Sequence, residues 1–263
     1  METTIKKAAK INQSITLKAL IIGFLTLILL IPGLMIQDLI RERQNRSLET
    51  IEKINNKWSN AQTFCGPVIS IPYTTTQVNP DNKTTIQEHL LNITPENLNI
   101  TTQLFPEERY YGIYKTILYK SEIDITGNFD KINFPKPENS IIHWEQAYLS
   151  IGVSDLRGIT ENIDFKLDNK QLSVEATGNL DTQIGKMLVM PLKNTDPLLF
   201  SQPQTFNCKL KLNGSSNINF IPIGKTTKVH VTGNWKSPGF IGNFSPEHHI
   251  TENGFEADWS ILS

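Results

Sequence analysis

One apolar stretch constrains the fold of this chain more than any other feature of its sequence. Ala19 to Ile36 holds eighteen residues without a charged side chain, and Thr26 is its one polar residue. As a helix rising about 1.5 Å per residue, the stretch would be about 27 Å long, close to the hydrocarbon thickness of a bilayer. Its Pro32 and Gly33 are residues that membrane spans tolerate.

A buried core helix and a cleavable signal peptide are the two other interpretations of this stretch. A core helix rarely lacks a polar face over five turns. A signal peptide would be followed by a small-x-small cleavage pattern, and none follows Ile36. The sequence therefore predicts an uncleaved signal anchor at residues 19–36.

Positive charges flank the predicted span equally, with four on each side: Lys6, Lys7, Lys10 and Lys18 before it, and Arg41, Arg43, Arg46 and Lys53 after it. A long domain translocates largely regardless of flanking charge, so the short lysine-rich tail is the better retention signal. We therefore expect residues 1–18 to be cytoplasmic and the main domain to lie outside the membrane.

The segment from Gln37 to about Asn60 contains neither glycine nor proline and keeps a helical pattern. Apolar residues recur on one stripe at three- and four-residue steps: Ile40, Leu48, Ile51, Ile54 and Trp58. This pattern predicts a helical stalk over residues 37–60, with its stripe packed on the following domain or on another subunit. A free coiled coil would need more heptads.

Strand-like alternation begins after Gly66-Pro67, which we expect to end the helix. The clearest example is FNCKLKLN, where Phe206, Cys208, Leu210 and Leu212 share one face. Asn213-Gly214 then predicts a hairpin turn, with Ile218 and Phe220 on the return strand, and Pro106 predicts a turn after an earlier strand. We therefore predict a mainly β, antiparallel, sandwich-like domain over residues 61–263, as one unit or two smaller sub-units.

Charge and cysteine content exclude several classes of function. Acidic and basic residues nearly cancel, 26 against 25, and no basic stripe stands out, so no nucleic-acid partner is predicted. Cys65 and Cys208 are too few for a disulfide framework or a cysteine-rich metal site. Outside the cytoplasm the two could pair, but the alternation makes Cys208 a small core residue first.

Asp155-Leu156-Arg157-Gly158 follows a predicted strand and has turn chemistry. Arg157 could bind a carboxylate such as Glu107 or Glu108, either in a ligand clamp or, as we favour, in a structural ion pair. Glu247-His248-His249 suggests a metal site, but adjacent strand residues face opposite sides. We expect these histidines in an exposed loop and His230 isolated, and we predict no catalytic residue, metal or cofactor.

The order of several motifs resembles the CreD family of bacterial inner-membrane, cell-envelope-integrity proteins. The matching elements are the span followed by IRER, Gly66-Pro67, Pro95-Glu96, Pro106-Glu107-x-Arg109, Ser154-Asp155-Leu156-Arg157-Gly158, Asn213-Gly214-Ser215, and Trp235, Pro238, Phe240, Phe244, Pro246, Gly254-Phe255 and Trp259. The resemblance covers the chain from Leu17 onward.

The resemblance implies a periplasmic β domain between one N-terminal span and a C-terminal cluster of spans. Nothing after Ile36 could cross a membrane as a helix, so we expect a truncated product or a fragment, and the truncation could extend into the last strands of the domain. It also implies a role in the envelope stress response without a known reaction. Glu107, Arg109, Asp155 and Arg157, which occupy motif positions, are the candidate binding residues.

Three functions follow as hypotheses. The first is a non-enzymatic inner-membrane protein whose β domain binds other envelope proteins or self-associates through the stalk. The second is a sensory or binding module that acts on a membrane partner. The third and weakest is a periplasmic hydrolase, which would gather Asp155, Arg157 and Glu108 in one pocket.

Overall fold

The structure, a computed structural model, describes residues 15–78, 84–132, 138–168, 170–176, 186–192 and 200–262. The chain divides into two compact units, Met1–Ile51 and Glu52–Ser263. The first unit is described from residue 15 as helix, and the second is mostly β-sheet. The predicted fold class, a mainly β chain after one long apolar helix, is confirmed.

One helix, α1 (Ile15–Trp58), contains both the predicted anchor and nearly all of the predicted stalk. Pro32 lies inside it, and the part from Leu17 is long and apolar enough to cross a membrane by length and composition. Its apolar side chains are exposed, which suits a lipid environment, since a soluble protein would bury so large an apolar surface. Thr26 Oγ1 donates to the Ile22 carbonyl oxygen at 2.8 Å, so this hydroxyl needs no other partner.

The stalk stripe divides along its length. Ile40 and Leu48 are exposed, whereas Ile51, Ile54 and Trp58 are half-buried. Ile54 and Trp58, which belong to the second unit, are therefore the part of the stripe that packs within that unit.

Fifteen strands follow the helix in the described residues. The first eight are β1 (Gln62–Val78), β2 (Thr84–Ile93), β3 (Asn97–Tyr111), β4 (Tyr114–Phe129), β5 (Ser140–Ile142), β6 (Tyr148–Val153), β7 (Asp164–Leu167) and β8 (Lys170–Leu172). The other seven are β9 (Glu175–Ala176), β10 (Lys186–Pro191), β11 (Gln204–Ser215), β12 (Ile218–Ile221), β13 (Thr226–Gly233), β14 (Glu247–Thr251) and β15 (Gly254–Leu262).

The strands form two sheets. The seven-stranded sheet has the order β12-β1-β6-β10-β9, and β2 and β5 also pair with the long strand β1. The eight-stranded sheet has the order β14-β15-β13-β3-β4-β11-β7-β8. The sheets are mixed, because β12 pairs with β1 in parallel and β13 pairs with β3 in parallel, so the antiparallel prediction holds for the other pairs only.

Both sheets contribute to one hydrophobic cluster, as in a sandwich. The seven-stranded sheet supplies Phe64, Ile69, Ile71, Leu149 and Ile151, and the eight-stranded sheet supplies Ile100, Ile125, Phe165, Leu210 and Val231. In β11 the predicted alternation is confirmed: Leu210 is 2% exposed, and Lys209 beside it is exposed. In β6, which lies between β1 and β10 in its sheet, every residue from Leu149 to Val153 is buried.

Gly66-Pro67 does not end the helix as expected. The helix ends at Trp58 and β1 begins at Gln62, so the dipeptide lies inside a strand. Gly66 has a φ of 126°, and the register of β1 against β6 shifts between Cys65 and Val68. The dipeptide therefore forms a β-bulge, for which a left-handed glycine is suited.

Asn213-Gly214 does not form the predicted hairpin turn. Both residues remain within β11, and β12 pairs with β1 in the other sheet. A Cβ on Gly214 would lie 2.2 Å from the Tyr119 hydroxyl oxygen, so the glycine is needed for close packing rather than for a turn.

Pro106 does not end a strand either. β3 continues through it to Tyr111, and the turn comes at Gly112, whose φ is 60°. The strand β13 pairs with β3 only from Asn97 to Leu104, so Pro106 lies where one side of β3 has no strand neighbour among the described residues. A proline is tolerated at such an edge because no ladder hydrogen bond is lost.

Candidate functional site

Asp155 and Arg157 lie at the end of α1, where they form an ion pair. Arg157 Nη2 lies 2.6 Å from Asp155 Oδ2, and Arg157 Nε donates to Asp155 Oδ1 at 2.9 Å. Arg157 Nη1 also donates to the Asn56 carbonyl oxygen at 2.8 Å, and Asp155 Oδ2 accepts from the Asn60 N–H at 3.1 Å. The pair thus satisfies the Asn56 carbonyl, one of the groups that the end of a helix leaves free, and the N–H of Asn60 just beyond the helix.

Asp155 is held in its charged form. Its hydrogen bonds with the Arg157 side chain are the main cause that lowers its pKa to about 2, and backbone N–H groups of Asn60 and Arg157 add to the effect. Burial opposes this shift, since the carboxylate is only 11% exposed. A carboxylate with these partners cannot act as a general base at neutral pH.

Gln62 joins this helix end to both sheets. Its Nε2 donates to Ser59 Oγ at 2.8 Å and to the carbonyl oxygens of Asp155 and Asn213, each at 3.0 Å. Its Oε1 accepts from Ser154 Oγ at 3.1 Å and from the Asp155 N–H at 3.2 Å. The side chain is fully buried, so these bonds satisfy groups that would otherwise be costly to bury.

Ser59, Asn60, Gln62, Asp155 and Arg157 are called the helix-end cluster below. Gly158 packs against it so closely that a Cβ would lie 2.3 Å from the Asn213 carbonyl oxygen and 2.4 Å from Gln62 Nε2. These packing and hydrogen-bond contacts between the helix end and the two sheets therefore account for the Asp-Leu-Arg-Gly motif. The sequence predicted an ion pair for Arg157, but its partner is Asp155, not Glu107 or Glu108.

Glu107 and Arg109, the other two predicted binding residues, lie near the tip of the β3–β4 hairpin. Arg109 Nη2 donates to Glu107 Oε2 at 3.0 Å, and both side chains are more than half exposed. Glu108 pairs with Lys115 and accepts from the Tyr110 hydroxyl, and these bonds lower its pKa. Within the described residues, no hydrogen bond or ion pair joins the hairpin pair to Asp155 and Arg157.

The sequence suggested that His230 is isolated, but the structure gives it two partners. Its Nδ1 lies 2.8 Å from Asp258 Oδ1 and its Nε2 lies 3.8 Å from Glu256 Oε1, across the β13–β15 pairing. These residue types could hold a cation, but the carboxylates face opposite ring nitrogens, so the group is explained as polar contacts between neighbouring strands. His248 and His249 are exposed, but in the edge strand β14 rather than in a loop.

Cys65 and Cys208 are both free and buried. Burial raises the pKa of the Cys208 thiol to about 12 and also raises the pKa of Cys65. Thiols in such surroundings are inert at neutral pH, so neither is a nucleophile here. Cys208 is a core residue of β11, as its place in the alternation predicted.

An apolar groove of about 810 Å³ lies within the β-rich unit and was not predicted. Three sets of residues line it, and it is called the aromatic groove below. The lining residues of the sheets are Leu104, Pro106, Lys115, Ile117, Tyr119, Val229, Val231, Phe255, Trp259 and Ile261. The others are Ser216–Phe220 and Pro222 around β12, and Trp235 and Ser237–Phe244 in a loop. A concave, mostly apolar site of this size is typical of ligand and partner binding.

Phe240 fixes the loop side of the aromatic groove. Its ring centroid lies 6.0 Å from that of Phe255 and 5.8 Å from that of Trp259, both in edge-to-face contact. Trp259 Nε1 donates to the Phe244 carbonyl oxygen at 3.2 Å. Ile241, between these contacts, is 77% exposed and free to meet a ligand. The aromatic, proline and glycine residues of Trp235–Phe244 are the sequence signal for this site, although the sequence alone identifies them only as family motifs.

These observations describe a membrane protein that joins one candidate spanning helix to a two-sheet β unit with an apolar groove. The chain belongs to the CreD family, since the family profile described as Inner membrane protein CreD matches residues 14–263. A relative, Inner membrane protein CreD of Escherichia coli (strain K12), is 28% identical over 237 residues, which cover 89% of this chain and 52% of the relative. The chain thus spans about half the length of that curated relative, and neither name is that of an enzyme.

Proposed function

We propose that this inner membrane protein is non-enzymatic and contributes to cell-envelope integrity or to the envelope stress response. Residues 1–18 are the cytoplasmic tail, and residues 61–263 form a periplasmic domain that binds another envelope component in the aromatic groove. The observation that carries the proposal is that groove, which lies in the unit that follows the membrane helix. The family resemblance supplies the cellular setting.

Binding is favoured over hydrolysis by the groove's chemistry. In the part of the chain that the structure describes, its ionisable lining residues are Lys115 and Tyr119. Lys115 is paired with Glu108, and burial raises the pKa of Tyr119, whose hydroxyl donates to the Asn217 carbonyl oxygen at 2.8 Å. Neither group can serve as a base at neutral pH. The hydrolase hypothesis also needs Asp155, Arg157 and Glu108 together, and their described contacts are separate.

Membrane topology tests the first part of this proposal. A phosphatase reporter is active only in the periplasm, so a reporter fused after Ser263 should be active. Protease added to spheroplasts should digest the β domain. An N-terminal reporter of the same kind should be inactive. Protection of the β domain in unbroken spheroplasts would contradict the proposed orientation.

Complementation tests the second part. Deletion of the gene from its host should increase sensitivity to detergents and bile salts, and the full chain should restore resistance. Crosslinking in intact membranes should then capture an envelope protein. Capture of a sensor kinase alone would favour the sensory alternative, and unchanged sensitivity after deletion would contradict a role in envelope integrity.

A further inference from the structure

The aromatic groove is lined in part by a strand that has one free edge in the described part of the fold. β12 is the terminal strand of its sheet and pairs with β1 alone among the described strands. Its residues Ile218, Asn219 and Phe220 all line the groove. An unpaired strand edge presents N–H and C=O groups that can pair with another chain.

The hydrogen bonds to β1 identify the free backbone groups. The Gln62 N–H donates to the Asn217 carbonyl oxygen at 3.2 Å, and Gln62 lies opposite Ile218. In a parallel ladder, alternate residues direct their backbone groups to the same neighbour. Asn219 therefore directs its N–H and C=O toward β1, and Ile218 and Phe220 direct theirs toward the open edge.

The side chains around this edge are mostly apolar. Val229, Val231 and Ile261 line the groove from the eight-stranded sheet, and Ile241 and Phe244 line it from the loop. Among the described residues that line the groove, Lys115 alone is charged, and Glu108, with which it is paired, neutralises it locally. The groove therefore matches an occupant that is neutral as well as apolar, because a charged occupant would lose hydration without gaining a partner.

We propose that the aromatic groove binds an extended, neutral polypeptide segment of a partner protein, which adds as a strand to the free edge of β12. Alternate apolar side chains of the segment would fill the groove, and its backbone would pair with Ile218 and Phe220. This inference rests on the proposed binding function and names its partner class. An acyl chain fits less well, because it would cover these backbone groups without satisfying them.

Direct binding tests the proposal on the full chain in lipid nanodiscs. The probe is a fluorescent ten-residue peptide of alternating valine and threonine, with two lysines added beyond one end for solubility. Fluorescence anisotropy should show saturable binding. A peptide that is N-methylated at alternate amides should bind about tenfold more weakly, because it keeps its side chains but loses backbone donors.

Two substitutions in the groove should weaken binding, and one control should not. Ile241→Asp places a charge at the groove, and Gly239→Trp fills it from a position where a Cβ meets nothing within 4 Å. Each should weaken binding by about tenfold or more. Ile113→Asp is the matched control, because Ile113 is 81% exposed, against 77% for Ile241, and does not line the groove.

Three outcomes would overturn the proposal: no saturable binding of the unmodified peptide, equal binding of the N-methylated peptide, or equal weakening by the Ile113 control. Palmitate, added below its micellar concentration, is the competitor. If palmitate displaced the peptide and bound more tightly than the peptide does, the groove would be assigned to acyl chains instead. Because binding in nanodiscs is independent of the side of the membrane, a failed topology test would not change these results. The two proposals can therefore fail separately.

Discussion

Gly158 is the residue whose identity the packing of the helix-end cluster restricts most. Gly158→Ala should lower the free energy of unfolding by about 1–3 kcal/mol, because the added Cβ would meet the Asn213 carbonyl oxygen at 2.3 Å. Gly239→Ala is the control, since a Cβ there meets nothing within 4 Å. Urea unfolding of both variants measures the difference, and equal stability would contradict the packing described.

Asp155 should make stability depend on pH at the acidic end. A carboxyl with a lowered pKa stabilises the fold above its unfolded pKa, about 3.9, and loses that contribution as the pH falls toward about 2. Asp155→Asn should therefore cost about 2–3 kcal/mol at pH 7 and almost nothing at pH 2. Unfolding measured at both pH values checks this prediction.

The matched control for Asp155 is Asp124, which is 55% exposed and paired only loosely with Lys209, at 3.8 Å. Asp124→Asn should change stability by less than about 1 kcal/mol at either pH, as exposed ion pairs contribute little. If the two variants showed the same pH dependence, the ion pair at the helix end would not be the cause.

At the scale of the element, β11 gives the sharpest prediction. Leu210→Asp buries an unpaired carboxylate in the shared core and should cost several kcal/mol, comparable with a domain's whole stability of about 5–15 kcal/mol. Lys209→Asp, on the exposed face, should cost less than about 1 kcal/mol. Thermal midpoints of both variants measure this, and equal losses would contradict the alternation.

Elements defined by periodicity could be predicted from the sequence, and elements defined by long-range contacts could not. The uncharged stretch of α1 and the alternation in β11 depend on neighbours in the chain. Gly66-Pro67 and Asn213-Gly214 have the composition of turns, but packing against β6 and against Tyr119 keeps them within strands. A single sequence carries no record of those partners.

The candidate site follows the same division. The family motifs contain Asp155, Arg157, Trp235 and Phe240, which lie in the helix-end cluster and in the aromatic groove. Their contacts could not be deduced from the sequence, because they join residues that lie far apart in the chain. Arg157 binds the Asn56 carbonyl oxygen 101 residues away, and the aromatic groove is lined by residues from Leu104 to Ile261. Whether Glu107, Arg109, Asp155 and Arg157 bind a ligand stays a prediction.

For the whole molecule, the helix end belongs with the β unit. Thr116 Oγ1 donates to Asn55 Oδ1 at 3.2 Å, and Arg157 Nη1 binds the Asn56 carbonyl oxygen at 2.8 Å. A fragment of residues 52–263 should therefore unfold cooperatively, and a fragment of residues 61–263 should be several kcal/mol less stable. Urea unfolding of the two fragments tests this, and equal stability would support the predicted boundary between residues 60 and 61 instead.

The uninterrupted course of α1 has a consequence for distance. From Gln37 to Trp58 the helix has 22 residues, which corresponds to about 33 Å of helix. Inserting 18 residues there would add about 27 Å and five complete turns, so the rotation of the helix end about the axis would stay the same. Inserting two residues would add about 3 Å but rotate the helix end about the axis by about 200°. The length of this helical segment and the rotation of its end about the axis can therefore be changed separately.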